Sequence, residues 1–292
     1  MCTCRCGMCS QKDWKRTPYI MRLEEFAIIL KKFVQHKDRI NFVTLQGWGE
    51  PLLDPTIAEK VRVAKRLGFQ GVGIPTNCTE LTEEMTAALL HAGLDTIICS
   101  VDGYTRAVHE SIRVGSDFDE VVSNVLRFIE MRNQGGSTKI IIRFIRQKAN
   151  HHEWRRYASF WRRHIREAFG DMLIRYDVHN WGGSLAGYEE RAVVPRTKPS
   201  PAVCKDLFSR IIIFSDGRVG LCCADYNGFF EFGDAIAQDP VALYNNELFE
   251  SYRKTMLQGR IANLEHCKTC TLPLSQATRL LPGRKTERFL SK

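Results

Sequence analysis

The first nine residues, Met1-Cys2-Thr3-Cys4-Arg5-Cys6-Gly7-Met8-Cys9, hold four cysteines, and Cys2, Cys6 and Cys9 follow the spacing C-x3-C-x2-C. Three thiolates on one short loop can ligate three irons of a [4Fe–4S] cube and leave the fourth iron open. An open metal position is what lets a cofactor or substrate bind the metal directly. The alternative for the four thiols, taken alone, is a site for zinc or a fully ligated cluster. A second group stands far along the chain: Cys204 and Cys222 in C-x17-C, then Cys267 and Cys270 in C-x2-C, with Gly217 before Cys222 and Cys223 after it. Zinc ribbons usually pair two C-x2-C knuckles, and here there is one. Of the eleven cysteines, Cys78 and Cys99 sit apart in apolar, strand-like runs and read as core residues. In a reducing compartment disulfides are rare, so clustered cysteines read as metal ligands. His91, His109, His151 and His152 have no metal-ligand spacing and read as ordinary helix residues.

The elements that must position these groups alternate in period. Apolar spacing predicts helices over 21–36, 56–67, 82–92, 118–132 and 151–168, and β-rich runs over 40–45, 71–75, 95–101, 139–145 and 172–178. Thr82 is a helix N-cap, and Gly68 and Gly93 are helix stops. This alternation with apolar strands implies an α/β fold, a parallel sheet or partial barrel. Loops at the C-terminal strand ends, where such folds place their chemistry, carry Gly47–Pro51, Thr76–Asn77, Ser100–Gly103 and Arg146–Asn150. From 202 onward the pattern changes to a hairpin, 210–214 and 218–222 around Asp216-Gly217, followed by a helix near 241–257.

The segment from Cys2 to Cys9 resembles the cluster loop of radical S-adenosylmethionine (SAM) enzymes, with Cys4 where a non-cysteine residue is usual. Gln46-Gly47-Trp48-Gly49-Glu50-Pro51 is similar to the family's Gly-Gly-Glu-Pro segment, whose backbone binds the methionine amino group of SAM; Trp48 replaces a glycine of the strictest form. Pro75-Thr76-Asn77, and Ser100-Val101-Asp102-Gly103 followed by Ile112-Arg113, resemble further strand ends of the family. The resemblance implies cofactor-binding roles for Met8, Gly47, Trp48, Gly49, Glu50, Thr76, Asn77, Ser100, Asp102 and Arg113, with Ser100 and Arg113 on the ribose or carboxylate of SAM. An Arg can fork onto a carboxylate with two charge-assisted hydrogen bonds. Arg143, a charge inside an apolar strand, needs a partner and is a second candidate for that role. No catalytic residue is assignable beyond the cluster ligands.

The C-terminal cysteines resemble the SPASM extension of the same family, in its shortened form called twitch. By that resemblance Cys204, Cys222, Cys267 and Cys270 close one auxiliary [4Fe–4S] cluster, with Cys223 a non-ligand. The implied architecture is a partial (β/α)6 TIM-type barrel over 1–182, a connector over 183–201, a twitch module over 202–272 and a basic tail over 273–292. A strand normally precedes the cluster loop of such a barrel; here Cys2 follows Met1 directly, so the first strand is missing, and the start reads as truncated or misassigned, or the chain as a degenerate member.

The 292 residues carry a formal charge of +9. The basic residues are scattered, apart from a cluster between Arg155 and Arg166, so nucleic acid is the weaker reading. A flavodoxin- or ferredoxin-type electron donor, acidic in charge, suits such a surface. No apolar run is long enough for a membrane span and no secretory pattern is present, which points to the cytoplasm. The expected activity is reductive cleavage of SAM and hydrogen abstraction from a peptide or a small carbohydrate or aminocyclitol. The alternatives are a non-catalytic iron–sulfur electron carrier and a zinc-binding nucleic-acid protein.

Overall fold

The computed structural model describes residues 1–46, 48–195, 203–230, 232–272, 278–280 and 287–288. In chain order the elements are α1 (Leu23–Lys32), β1 (Val43–Thr44), α2 (Ile57–Arg66), β2 (Val72–Thr76), α3 (Glu83–His91), β3 (Thr96–Ser100), α4 (Arg106–Ile112), α5 (Phe118–Asn133), β4 (Lys139–Arg146), α6 (Trp154–Arg162) and β5 (Met172–Asp177). There follow α7 (Tyr188–Arg191), α8 (Asp206–Ser209), β6 (Ile212–Ile213), β7 (Val219–Gly220), α9 (Pro240–Tyr244), α10 (Glu247–Leu257), β8 (Thr278–Leu280) and β9 (Glu287–Arg288). Among the described residues no helix is long and apolar enough to cross a membrane.

Two compact units divide the chain. The first takes in Met1–Gly7, His36–Asp177 and the two C-terminal strands; the second is Met8–Gln35 with Val178–Ser275.

In the first unit β1 to β5 lie side by side in chain order, every neighbouring pair parallel. That is the order of a β/α barrel. Each residue of β2 is buried, as befits a strand covered on both faces. Ile140, Ile142 and Phe144 of β4 are fully buried, while Arg143 between them points to the opposite face, as the two-residue period of a strand requires. Val121, Val125 and Phe128 of α5 recur at helical spacing and are buried. Thr82 caps α3 as expected, its hydroxyl accepting from Met85 N at 3.1 Å. At the base of the sheet Arg132, at the end of α5, meets Asp171, just before β5, with bonds of 2.9 and 2.7 Å and both side chains fully buried. Asp171 also accepts from the backbone of Ile140 and Arg166, so the buried charge is satisfied on every side.

Several elements depart from the pattern-based expectation. The segment expected only as a basic tail supplies β8, which pairs antiparallel with β5 in register Leu173↔Leu280, and β9, which pairs with β8; the rest of that tail lies outside the described residues. The helix expected over 151–168 is confined to Trp154–Arg162. The helix expected near 241–257 is two, because the side chain of Asn246 accepts from Phe249 N at 2.9 Å and starts a new helix there. Short helices α7 and α8 fall in and just after the predicted connector, of which 196–201 lie outside the described residues.

In the second unit β6 and β7 form the expected antiparallel hairpin, shorter than predicted, with Gly217 turning at φ +88°. Lys32, at the end of α1, donates to the carbonyls of Ala235, Ile236 and Gln238, joining α1 to the loop that follows the hairpin.

His109 in α4 is not a plain surface helix residue. It is fully buried, its Nδ1 accepts from Asp102 N at 3.2 Å, and its ring packs on Phe118 at 5.4 Å. Burial, and then the Arg113 charge, pull its pKa from 6.5 to about 4. The unfolded chain therefore takes up this proton first as pH falls, and the stability that the neutral ring contributes is lost between pH 6.5 and about 4. The loss amounts to roughly 3 kcal/mol at most. Denaturant titrations across that window should show the wild type losing about this much more stability than His109→Asn; equal pH slopes would contradict the assignment.

Candidate functional site

The rim of the first unit is built from the loop after β1 and the ends of β2, β3 and β4. Glu50 sits buried at its centre. Its carboxylate accepts from Leu52 N at 3.1 Å, Thr76 Oγ1 at 2.7 Å and Asn77 N at 2.8 Å. Burial pushes its pKa up, and these three donors oppose that shift. Glu50 thus ties the loop after β1 to the end of β2. The same loop approaches the start of the chain: Glu50 N donates to Met1 O at 2.9 Å, and a Cβ on Gly49 would lie 2.2 Å from that oxygen, so only glycine fits. Gly47 lies outside the described residues; Trp48 and Gly49 are within them.

The cysteine segment docks on this rim. Arg5 N donates to Val114 O at 2.7 Å and Gly7 N to Ile112 O at 3.2 Å, at the end of α4. Asn77 Nδ2 donates to Thr3 Oγ1 at 2.9 Å and Cys4 Sγ at 3.3 Å, and lies 3.8 Å from Cys2 Sγ. Arg113 Nη1 lies 3.9 Å from Cys6 Sγ. The hydrogen bond from Cys4 lowers the Cys6 thiol to about 6; burial opposes this and the Arg113 charge assists it. Burial raises Cys2. Cys4 is fully buried. Cys78 and Cys99 are fully buried as expected, Cys78 with φ +68°.

The two arginines are placed differently. Arg113 is buried and forks onto Asp102, with Nε at 2.7 Å and Nη2 at 2.7 Å from Oδ2. Asp102 in turn accepts from Ile145 N at 2.6 Å. Arg143 stands opposite Ser100 in the β3–β4 register and donates to Ser100 Oγ at 2.6 Å. Its buried Nε has no hydrogen-bond partner among the described residues.

Cys9, the third cysteine of the first motif, belongs to the second unit, where Trp181 Nε1 donates to Met8 O at 2.8 Å. The second thiol set lies in the same unit. Burial raises Cys204, Cys222, Cys267 and Cys270, Cys267 to about 12, with Cys270 and Cys204 adding to the rise at Cys267. Neighbouring thiols that each oppose the other's ionisation suit a metal that takes them as thiolates. Cys223 is turned to a different partner, its Sγ donating to Asp206 Oδ2 at 3.3 Å. Among the described residues no three Cys, His, Asp or Glu side chains converge as the ligands of one ion would. The thiolates of a cube bind separate irons, and the all-sulfur character of both sets fits that use.

A further residue, which cysteine spacing did not flag, holds the second set. Asn180 N donates to Thr271 Oγ1 at 3.0 Å, its Nδ2 donates to Thr269 O at 2.6 Å, and its Oδ1 accepts from Thr271 N at 2.9 Å, a clamp around Cys270. The only sequence signal was the Asn-Trp-Gly-Gly run following the fifth strand.

The Radical SAM superfamily model matches residues 1–147, and the SPASM iron–sulfur cluster-binding domain matches 204–271. The probable GTP 3′,8-cyclase of Saccharolobus solfataricus is 29% identical over 152 residues, 52% of this chain and 47% of that one; the chain therefore spans about half the length of this relative. Among solved structures, BtrN in complex with AdoMet and 2-DOIA superposes with a TM-score of 0.62 at 16% identity, over 92% of this chain and 88% of that one. SuiB of Streptococcus suis bound to its precursor peptide SuiA gives 0.67 at 14% identity, over 86% and 64%. These likenesses show a shared fold. The two family matches establish that the chain belongs to the radical SAM superfamily and carries a C-terminal SPASM iron–sulfur domain.

Proposed function

We propose that the chain is an enzyme that reductively cleaves SAM and uses the product to abstract hydrogen from a peptide or a small polyhydroxylated molecule. The observation that carries this reading is Arg143. A guanidinium beside Ser100, with a buried Nε that has no hydrogen-bond partner among the described residues, suits an anion on the rim that also holds Cys2 and Cys6. An electron carrier has no use for such a site; the carboxylate of SAM fills it.

In this reading Cys2, Cys6 and Cys9 hold one [4Fe–4S] cluster, and Cys204, Cys222, Cys267 and Cys270 hold the auxiliary one. A cluster held by Cys2, Cys6 and Cys9 would supply, when bound and reduced, the electron needed for reductive cleavage of SAM. The chain's own residues bind and orient. Ser100 and Arg143 take the carboxylate, and the backbone of 47–49 takes the amino group. Thr76 holds the strand end to Glu50, Asn77 holds it to the cysteine segment, and Met8 flanks Cys9. Arg113 is committed to Asp102 and Cys6, so its role is to keep a positive charge beside a thiolate rather than to grip SAM. The electron donor in this proposal is a flavodoxin or ferredoxin. BtrN's structure carries 2-DOIA and SuiB's a peptide; both substrate classes therefore remain within the proposal.

Anaerobically reconstituted protein should contain about eight irons in two cubes. The triple change Cys2→Ala, Cys6→Ala and Cys9→Ala should leave about four irons and abolish dithionite-driven formation of 5′-deoxyadenosine. Cleavage that survives in that variant would overturn the assignment.

The second set is tested separately. Cys222→Ala should remove or open the auxiliary cube, seen as lost absorbance near ~400 nm and lost iron, while SAM cleavage continues at a reduced rate. Cys223→Ala should do much less, since its thiol is engaged with Asp206. The reverse pattern would move the ligand by one residue.

A further inference from the structure

The turn 180–183 touches both cysteine loops of the second unit at once. On one side Trp181 Nε1 donates to Met8 O at 2.8 Å, one residue from Cys9. On the other, Asn180 clamps 269–271 with three hydrogen bonds and Thr269 Oγ1 donates to Gly182 O at 3.1 Å, on either side of Cys270.

The backbone is bent to make this double contact. Trp181, Gly182 and Gly183 are all left-handed, at φ +49°, +69° and +96°. For tryptophan that conformation is a strained one, and it persists only where surrounding contacts enforce it. A Cβ on Gly182 would lie 3.2 Å from the His266 ring, and one on Gly183 would lie 2.4 Å from Thr269 Oγ1. The two glycines are therefore what lets the turn sit against the Cys267–Cys270 loop. A second connection runs through rings: Trp181 to Tyr226 at 6.4 Å, Tyr226 to Phe229 at 5.7 Å, and Phe229 to His266 at 5.6 Å, next to Cys267.

We propose that Trp181 is a positioning residue that couples the two iron–sulfur sites, so that the state of the auxiliary cluster is felt at the cluster held in part by Cys9. The inference rests on the two-cluster reading above. The indole N–H fixes the carbonyl of Met8, and hence the backbone that carries the Cys9 thiolate. Hydrogen bonds and backbone placement around ligating sulfurs set a cluster's potential. A turn that is pinned by Asn180 and Thr269 transmits a displacement of the Cys267–Cys270 loop to that backbone.

The test is a redox titration followed by electron paramagnetic resonance on the reconstituted full chain. Removing the auxiliary cluster with Cys267→Ala and Cys270→Ala should shift the midpoint potential and g-values of the first cluster. With Trp181→Phe, which keeps an aromatic ring and loses the N–H, the same pair of changes should leave the first cluster where it was. Thr269→Val, at an exposed position, cuts the link from the other side and should act in the same direction; it carries the comparison if Trp181→Phe fails to load both clusters. Two loaded clusters with an equal shift in all backgrounds would overturn the coupling alone. Wild-type protein that holds only one cube would overturn the two-cluster reading and the coupling together.

Discussion

A carboxylate has been taken out of water at Glu50, and three donors from two separate segments converge on it. A buried carboxylate is expensive unless such donors satisfy it, so the position of each segment is set by the need to reach it. The loop after β1 must cross the end of β2, and Thr76 and Asn77 must present a hydroxyl and an amide at that crossing. With Asn77 so placed, its side chain meets Thr3 and Cys4. The placement of the cysteine segment on the rim follows from one buried carboxylate and the donors that satisfy it.

A similar economy governs the positive charges. Asp102 takes Arg113, leaving one guanidinium nitrogen toward Cys6, whereas Arg143 has a hydroxyl for a partner and a buried nitrogen with no hydrogen-bond partner among the described residues. The two arginines therefore differ in what holds them, one a carboxylate and the other a hydroxyl.

Much of this was legible in residue order. Cysteine spacing marked both thiol sets, helical and strand periods located β2 to β5 with small boundary errors, and Thr82 announced its helix. What was not legible depends on pairing between distant residues. Arg113 lies eleven positions from Asp102, and nothing local distinguishes it from Arg143. His109 reads as a helix residue because periodicity says nothing of the backbone N–H it accepts. The turn at 180–183 falls at the expected boundary between barrel and connector, and its meaning lies in contacts with residues about ninety positions later. The strand β8 is too short to declare itself without the edge of β5.

That last strand bears on how the first unit can be made. Its sheet draws β1 to β5 from residues 43–177 but completes the edge at β5 with residues 278–280. A ribosome delivers the entire second unit before it delivers that edge partner. Until then β5 presents unpaired amides and carbonyls, the kind of surface on which sheets join one another. The nascent chain must therefore hold an open β edge through the synthesis of roughly a hundred residues, a long-range closure of the sort that slows folding. Chaperone dependence during synthesis, rather than low stability of the finished protein, is the exposure that this topology creates.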